Sequence, residues 1–185
     1  DIAVIHMERV SNNTDVEPFI HEKDCSVRLV KEANELGKPH AIIIPGTKST
    51  IADMDILKEK GLDKKIIEFA KNGGHVIGLC GGFQVLGETI TDMIGVDNHK
   101  LTEIEGLGLL PIKTNFTQDK HVEQVHGDVL NDFFELRKCD DTSIKHVTGY
   151  EIHLGETQYL KNSIPIIKLS DGRLDGCINQ EGNVI

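Results

Sequence analysis

The sequence lacks the features of a membrane, secreted or nucleic-acid-binding protein. No apolar run among the 185 residues reaches the roughly 20 residues that a transmembrane helix needs, and no secretory signal pattern is present. Lys and Arg form no cluster, and the formal net charge is −10. The cysteines, Cys25, Cys80, Cys139 and Cys177, match neither CxxC pairs nor a zinc ribbon. We therefore expect a cytoplasmic chain with no nucleic acid, membrane or metal partner.

The length suits a single domain with a core large enough to fold by itself. The chain starts without Met, directly before an apolar run, and stops where a turn cluster has just led into Val184-Ile185. We expect residues 1–185 to be one domain and a fragment of a longer chain.

The apolar patterns of the first half predict an α/β fold. Residues 2–7, 26–30 and 41–44 suit buried strands, and residues 62–71 show helical periodicity. The order over residues 41–90 is strand, helix, strand, helix, which predicts parallel strands joined by right-handed crossovers. We expect a three-layer, mostly parallel central sheet with helices on both faces. Alternating segments at 112–116, 122–129, 144–154 and 164–169 predict an antiparallel extension, with a helical pattern near 130–136.

One stretch predicts a reactive cysteine. The strand-like Val76-Ile77-Gly78 is followed by Leu79-Cys80-Gly81-Gly82 and then by a helical pattern, which is the arrangement of a nucleophile elbow. A helix N-terminus would lower the thiol pKa, and the Gly81 amide could stabilise an oxyanion. The alternative is a small buried cysteine in a glycine-rich turn.

A second glycine suggests a partner for Gly81. Gly46 directly follows the strand 41–44, where ligands bind in open α/β sheets, so its amide is a candidate oxyanion donor. Alternatively, Gly46 only provides a positive φ in an ordinary loop. Ser49 or Thr50 is predicted to cap the following helix. The segment around Lys48 lacks the order and spacing of a phosphate-binding P-loop.

A cysteine nucleophile needs a base, usually histidine, and the chain has nine histidines. His75 lies five residues before Cys80 along a strand, about 16 Å away at strand rise, which excludes it. On the residues alone the first choice is His153, which lies between two glycines and near an acidic residue.

Five motifs follow one another over nearly the whole chain. They are Ser11-Asn12-Asn13-Thr14-Asp15, Pro45-Gly46-Thr47-Lys48-Ser49-Thr50, Gly78-Leu79-Cys80-Gly81-Gly82-Phe83-Gln84, Gly106-Leu107-Gly108-Leu109-Leu110 and Gly149-Tyr150-Glu151-Ile152-His153. Together, and in this order, they resemble the glutamine amidotransferase domain of the cobyric acid synthases, a class I amidotransferase family. The Pro-Gly-Thr-Lys form of the second motif and Gln84 in the third favour this subgroup over its a,c-diamide synthase relatives.

The resemblance implies a chemistry for the elbow. Cys80 would attack the side-chain amide of glutamine, form a glutamyl thioester and release ammonia. The backbone amides of Gly46 and Gly81 would stabilise the oxyanion. The ammonia would pass to an N-terminal synthase domain of the same chain, which uses ATP and Mg²⁺ to amidate carboxylates of a corrin. This domain itself would need no cofactor.

The resemblance also implies binding residues and one departure from the family. Thr47, Gln84 and His153 would contact glutamine, His153 as part of the pocket and not as the base. The family's catalytic histidine would lie just past Ile185, so the fragment alone would be inactive. Two other hypotheses remain open: an amidotransferase subunit that serves a different ligase, and a non-catalytic binding module on the same fold.

Overall fold

The computed structural model describes residues 1–12, 14–97, 102–130 and 145–185, without the side chain of Asp119. Its first sheet contains β1 (Ile2–Ile5), β2 (Val27–Val30), β3 (Ala41–Ile44) and β4 (His75–Gly78). The strands lie in the order β2-β1-β3-β4 and all their pairings are parallel. The predicted α/β class with a parallel sheet is confirmed, and the bounds of β3 match the apolar run that indicated it.

The helices are α1 (Glu17–His21), α2 (Thr50–Glu59), α3 (Leu62–Lys71) and α4 (Gly81–Leu86), with short 3₁₀ turns at Thr14–Val16 and Ala33–Glu35. Helix α3 has the predicted bounds because Leu62, Ile66 and Ala70 bury one face of it. Over the described residues, the helices include none with the length and apolar character that a membrane span requires.

Helix α2 is capped from a distance. Ser49, one of the two predicted residues, occupies the N-cap position, but its side chain makes no capping hydrogen bond. Instead the Asp97 carboxylate accepts hydrogen bonds from the backbone amides of Thr50 and Ile51, both at 2.9 Å, and from the Ser49 hydroxyl at 3.2 Å. The Thr50 hydroxyl is directed elsewhere, to the side chain of Gln84.

The second sheet contains β5 (Thr89–Asp92), β6 (Thr102–Glu105), β7 (Ile112–Val129), β8 (His146–Tyr159), β9 (Ile164–Leu169) and β10 (Leu174–Ile178). In the described part its order is β10-β9-β7-β5-β6, with β8 also paired to β7. All pairs are antiparallel except β5 with β7. The segments predicted at 112–116 and 122–129 are one continuous strand whose register shifts between Phe116 and His121. Most of the helical pattern near 130–136 lies outside the described residues.

The two sheets share one hydrophobic core, in which Ile42 and Val76 of the first belong to the same buried cluster as Ile90 and Ile112 of the second. The last residues extend the first sheet. Val184 pairs in parallel with Val76, and the Gly78 amide donates to the carbonyl oxygen of Ile185 at 2.7 Å.

Candidate functional site

Cys80 lies in the tight turn between β4 and α4, as the sequence predicted. Its φ is 51° and its ψ is −112°, and among the described residues it is the only non-glycine with positive φ. Such a conformation costs about 1–3 kcal/mol and persists only where surrounding structure holds it. Gly82 allows the tight turn because it has no side chain: a Cβ at this position would collide with the carbonyl oxygen of Ile44. The structure therefore places the thiol on a strained strand-to-helix turn.

The two predicted oxyanion donors lie beside Cys80. A Cβ on Gly46 would be 3.4 Å from the Cys80 Cβ and would collide with the Ser11 hydroxyl. Gly46 is not among the glycines with positive φ, so close packing and not backbone conformation excludes a side chain there. Gly81 directly follows Cys80, and a Cβ on Gly81 would be 2.7 Å from the Thr47 methyl carbon.

The Cys80 thiol is not activated in the way the sequence predicted. Desolvation by the surrounding loops raises its pKa, the Gly81 amide lowers it, and the negative charge of Asp15 raises it further. The net shift is upward although the side chain is exposed at the edge of its cavity. The predicted lowering is therefore wrong, because desolvation exceeds the effect of one amide at the start of a short helix. A neighbouring base is needed to form the thiolate.

The loop that carries Gly46 is fixed by a buried carboxylate. The Thr47 hydroxyl donates to Asp53 Oδ2 at 2.6 Å and accepts from the Ser49 amide at 3.1 Å. Arg9 Nη1 donates to Asp53 Oδ1 at 2.9 Å, which pairs a half-exposed cation with a carboxylate that is 1% exposed. The Thr47 hydroxyl is thus engaged within the loop, so a contact with glutamine would come from other atoms of this residue. Sequence reasoning did not identify Arg9, which lies 44 positions from Asp53.

Gln84 is held in one orientation by a residue of α2. The Thr50 hydroxyl donates to Gln84 Oε1 at 2.8 Å, and the two residues are 2% and 7% exposed. The amide nitrogen of Gln84 faces β8, where a Cβ on Gly155 would be 2.8 Å from Nε2. Thr50 belongs to the same loop motif as Gly46, but its sequence position gave no sign of this contact.

A cavity of about 680 Å³ opens between Cys80 and the second sheet. The Cys80 sulfur lies 3.9 Å from the carbonyl oxygen of Ile152, so β8 forms the wall that faces the thiol. His153 Nε2 is 2.8 Å from Glu151 Oε1. The lining includes two of the three predicted binding residues, Gln84 and His153, but not Thr47. Asn12 and Tyr150 of the sequence motifs also line it, as do Asp175 and Ile185, which the sequence did not indicate.

Two curated relatives of this chain are described as cobyric acid synthases. The chain is 46% identical to a cobyric acid synthase of Desulfitobacterium hafniense (strain DSM 10664 / DCB-2) over 158 residues, which are 85% of this chain and 30% of that protein. It is 42% identical to a cobyric acid synthase of Clostridium botulinum (strain Loch Maree / Type A3), with 100% of this chain and 36% of that protein covered. The chain thus spans about a third of the length of these relatives.

Solved structures share the fold at low identity. A PurLQS structure from Thermotoga maritima superposes with a TM-score of 0.71 at 16% identity, covering 99% of this chain and 83% of that chain. A crystal structure of a glutamine amidotransferase superposes with a TM-score of 0.67 at 15% identity, covering 99% of this chain and 86% of that chain. The sequence model of the CobB/CobQ-like glutamine amidotransferase domain family matches residues 1–185 of this chain. The elbow cysteine, the loop glycines beside it and this full-length match together show that the chain belongs to the CobB/CobQ-like glutamine amidotransferase domain family.

Proposed function

We propose that this chain is the glutaminase part of a cobyric acid synthase. The Cys80 thiolate attacks the side-chain amide carbon of glutamine and forms a sulfur–carbon bond. The tetrahedral intermediate then expels the nitrogen, which leaves as ammonia after taking up a proton. Water hydrolyses the thioester, releasing glutamate and restoring the thiol. The names of the curated relatives support cobyric acid synthase as the parent enzyme.

The observation that carries this proposal is that Cys80, which lines the cavity, lies directly beside Gly46 and Gly81. Backbone amides that point at the site of a developing oxyanion stabilise the transition state more than the bound substrate. The rigid loop around Thr47 and Asp53 keeps the Gly46 amide in place, which lowers the reorganisation needed during the reaction.

The proton acceptor for Cys80 is expected from residues that follow Ile185 in the parent enzyme. Val184 forms an isolated parallel bridge with Val76 of β4. Cys80 lies four positions after Val76, so a continuation of this pairing draws level with Cys80 about three residues after Ile185. A histidine close to that position would receive the thiol proton and later donate it to the leaving ammonia.

The binding roles complete the proposal. Gln84 and His153 both line the cavity and are suited to hold the glutamine substrate, and Thr47 would contribute through its backbone from the loop beside Gly81. Ammonia is used by an N-terminal synthase part, which activates corrin carboxylates with ATP and Mg²⁺. Without that part and the added base, residues 1–185 are expected to show little glutaminase activity.

Ammonia release by the parent enzyme tests this proposal. Cys80→Ala should abolish glutamine-dependent amidation, while free ammonia at high concentration should still support it. Cys25→Ala is the matched control, since Cys25 lies outside the cavity lining, and should retain activity. If Cys80→Ala keeps glutamine-dependent activity, the nucleophile assignment is wrong.

A further inference from the structure

A second cluster of chemically capable side chains lies on one face of the β7–β8 ladder. His121 is directly opposite His153, and Glu123 is directly opposite Glu151. Residues two apart on a strand share a face, and opposed residues on paired strands are neighbours, so these four side chains form a square. The square begins where the β7–β8 pairing resumes after the register shift between Phe116 and His121.

The donor atoms of this square have the spacing of metal ligands. His121 Nε2 lies 3.3 Å from Glu123 Oε2 and 3.2 Å from Glu151 Oε2. Zinc bonds of about 2.0–2.2 Å to N and O place neighbouring ligand atoms of a tetrahedron about 3.3–3.6 Å apart. The His121 Nε2 atom is buried and makes no hydrogen bond of acceptable geometry. His153 is stacked on His121 with ring centroids 5.6 Å apart, and its Nε2 is 2.8 Å from Glu151 Oε1.

The charges around the square favour an added cation. Glu123, Glu151 and Asp171 supply three carboxylates, and Arg173 is the cation that contacts all three. Arg173 Nη1 lies 2.8 Å from both oxygens of Glu151, and its Nε donates to Asp171 at 2.6 Å. Carboxylates that bind metals are commonly hydrogen-bonded from outside, so Arg173 can hold Glu151 in orientation while its remaining lone pairs face His121.

We propose that His121, Glu123 and Glu151 form a binding site for a divalent transition cation. One imidazole with two carboxylates favours Zn²⁺ over Mg²⁺ or Ca²⁺, which prefer oxygen ligands alone. The cation joins β7 to β8 next to the register shift, and so fixes the wall of the cavity that contains Ile152 and faces Cys80. This site does not depend on the proposed glutaminase activity.

Titration of the metal-free protein with Zn²⁺, followed by calorimetry or by competition with a chromogenic chelator, tests the site. One Zn²⁺ per chain should bind, and His121→Ala and Glu123→Gln should each weaken the affinity at least about tenfold, the lower end of the loss seen for outer-shell changes. The matched control is His126→Ala, on the same strand but on the opposite face, which should leave the affinity within about twofold. Circular dichroism of each variant establishes that it is folded.

Cobalt gives a second readout that separates this site from the cysteines. Co²⁺ bound by histidine and carboxylates should show visible d–d bands and no sulfur-to-cobalt charge-transfer band. Failure of the folded wild type to bind Zn²⁺ would overturn the proposal and leave Arg173 as the cation of the cluster. A sulfur charge-transfer band, or equal affinity in His121→Ala and His126→Ala, would likewise overturn it.

Discussion

The hydrogen bond from Thr50 to Gln84 allows a sharp test of how the site is held. Thr50→Val keeps the shape of the side chain but removes the hydroxyl that donates to Gln84 Oε1 at 2.8 Å. Both residues are buried, at 2% and 7% exposure, so the acceptor loses a partner that water cannot readily replace. Leaving a buried polar group unsatisfied costs about 1–3 kcal/mol. For a chain of this size that corresponds to a fall in Tm of about 2–12 °C.

The assay is urea or thermal unfolding of Thr50→Val beside a matched control. Thr91→Val removes a hydroxyl of the same kind, but one whose bond to Glu103 is exposed, so its cost should stay within about 0.5 kcal/mol. In the parent enzyme Thr50→Val should also raise KM for glutamine more than it lowers kcat, because Gln84 loses its orientation. Equal stability of the two variants would refute the claim that Thr50 fixes Gln84.

Three further predictions concern Asn183, Asp92 and Cys80. Asn183→Ala should lower the free energy of unfolding by about 2–3 kcal/mol, measured in urea, because the Asn183 amide donates to two backbone carbonyl oxygens at 2.8 and 2.7 Å; an unchanged value would contradict this. Burial raises the pKa of Asp92, but four backbone amides lower it more, so its folded-state pKa is below the unfolded value. The stabilisation by the ionised Asp92 carboxylate is present above about pH 4 and is lost as pH falls through the folded-state pKa. Asp92→Asn should therefore lower the free energy of unfolding at pH 7, and the difference from wild type should shrink near pH 2–3. A difference in unfolding free energy that stays constant over this pH range would contradict the prediction. The raised pKa of Cys80 predicts that its alkylation by iodoacetamide accelerates with pH up to a midpoint above about 8.5, and a plateau below that pH would show that the thiol is activated within the chain.

Local patterns were sufficient for the elements that position the nucleophile. The bounds of β3 and α3 and the turn at Cys80 follow from apolar runs and glycines that lie within a few residues of one another. The close approach of Gly82 to the Ile44 carbonyl also explains why the turn needs its glycines.

Contacts between distant residues could not be predicted in this way. Asp97 caps α2 from 47 positions beyond Thr50, and Arg9 binds Asp53 across 44 positions. Nothing in the spacing of these polar residues distinguishes them from solvent-exposed ones. The pKa of Cys80 was predicted in the wrong direction for the same reason, because the desolvation that dominates it comes from loops brought together by folding.

The continuous β7 strand was missed because its alternation weakens at the register shift between Phe116 and His121. The square of histidines and glutamates arises only from the cross-strand register, which the sequence alone does not fix.

The most direct test of the central claim is alkylation by a glutamine-like chloroketone or diazo-ketone, with the labelled cysteine identified by peptide mass spectrometry. If Cys80 is the glutamine-attacking nucleophile, it should be labelled before Cys25, Cys139 and Cys177, and excess glutamine should protect it. Equal or faster labelling of Cys25 or Cys139, or no protection by glutamine, would contradict the account.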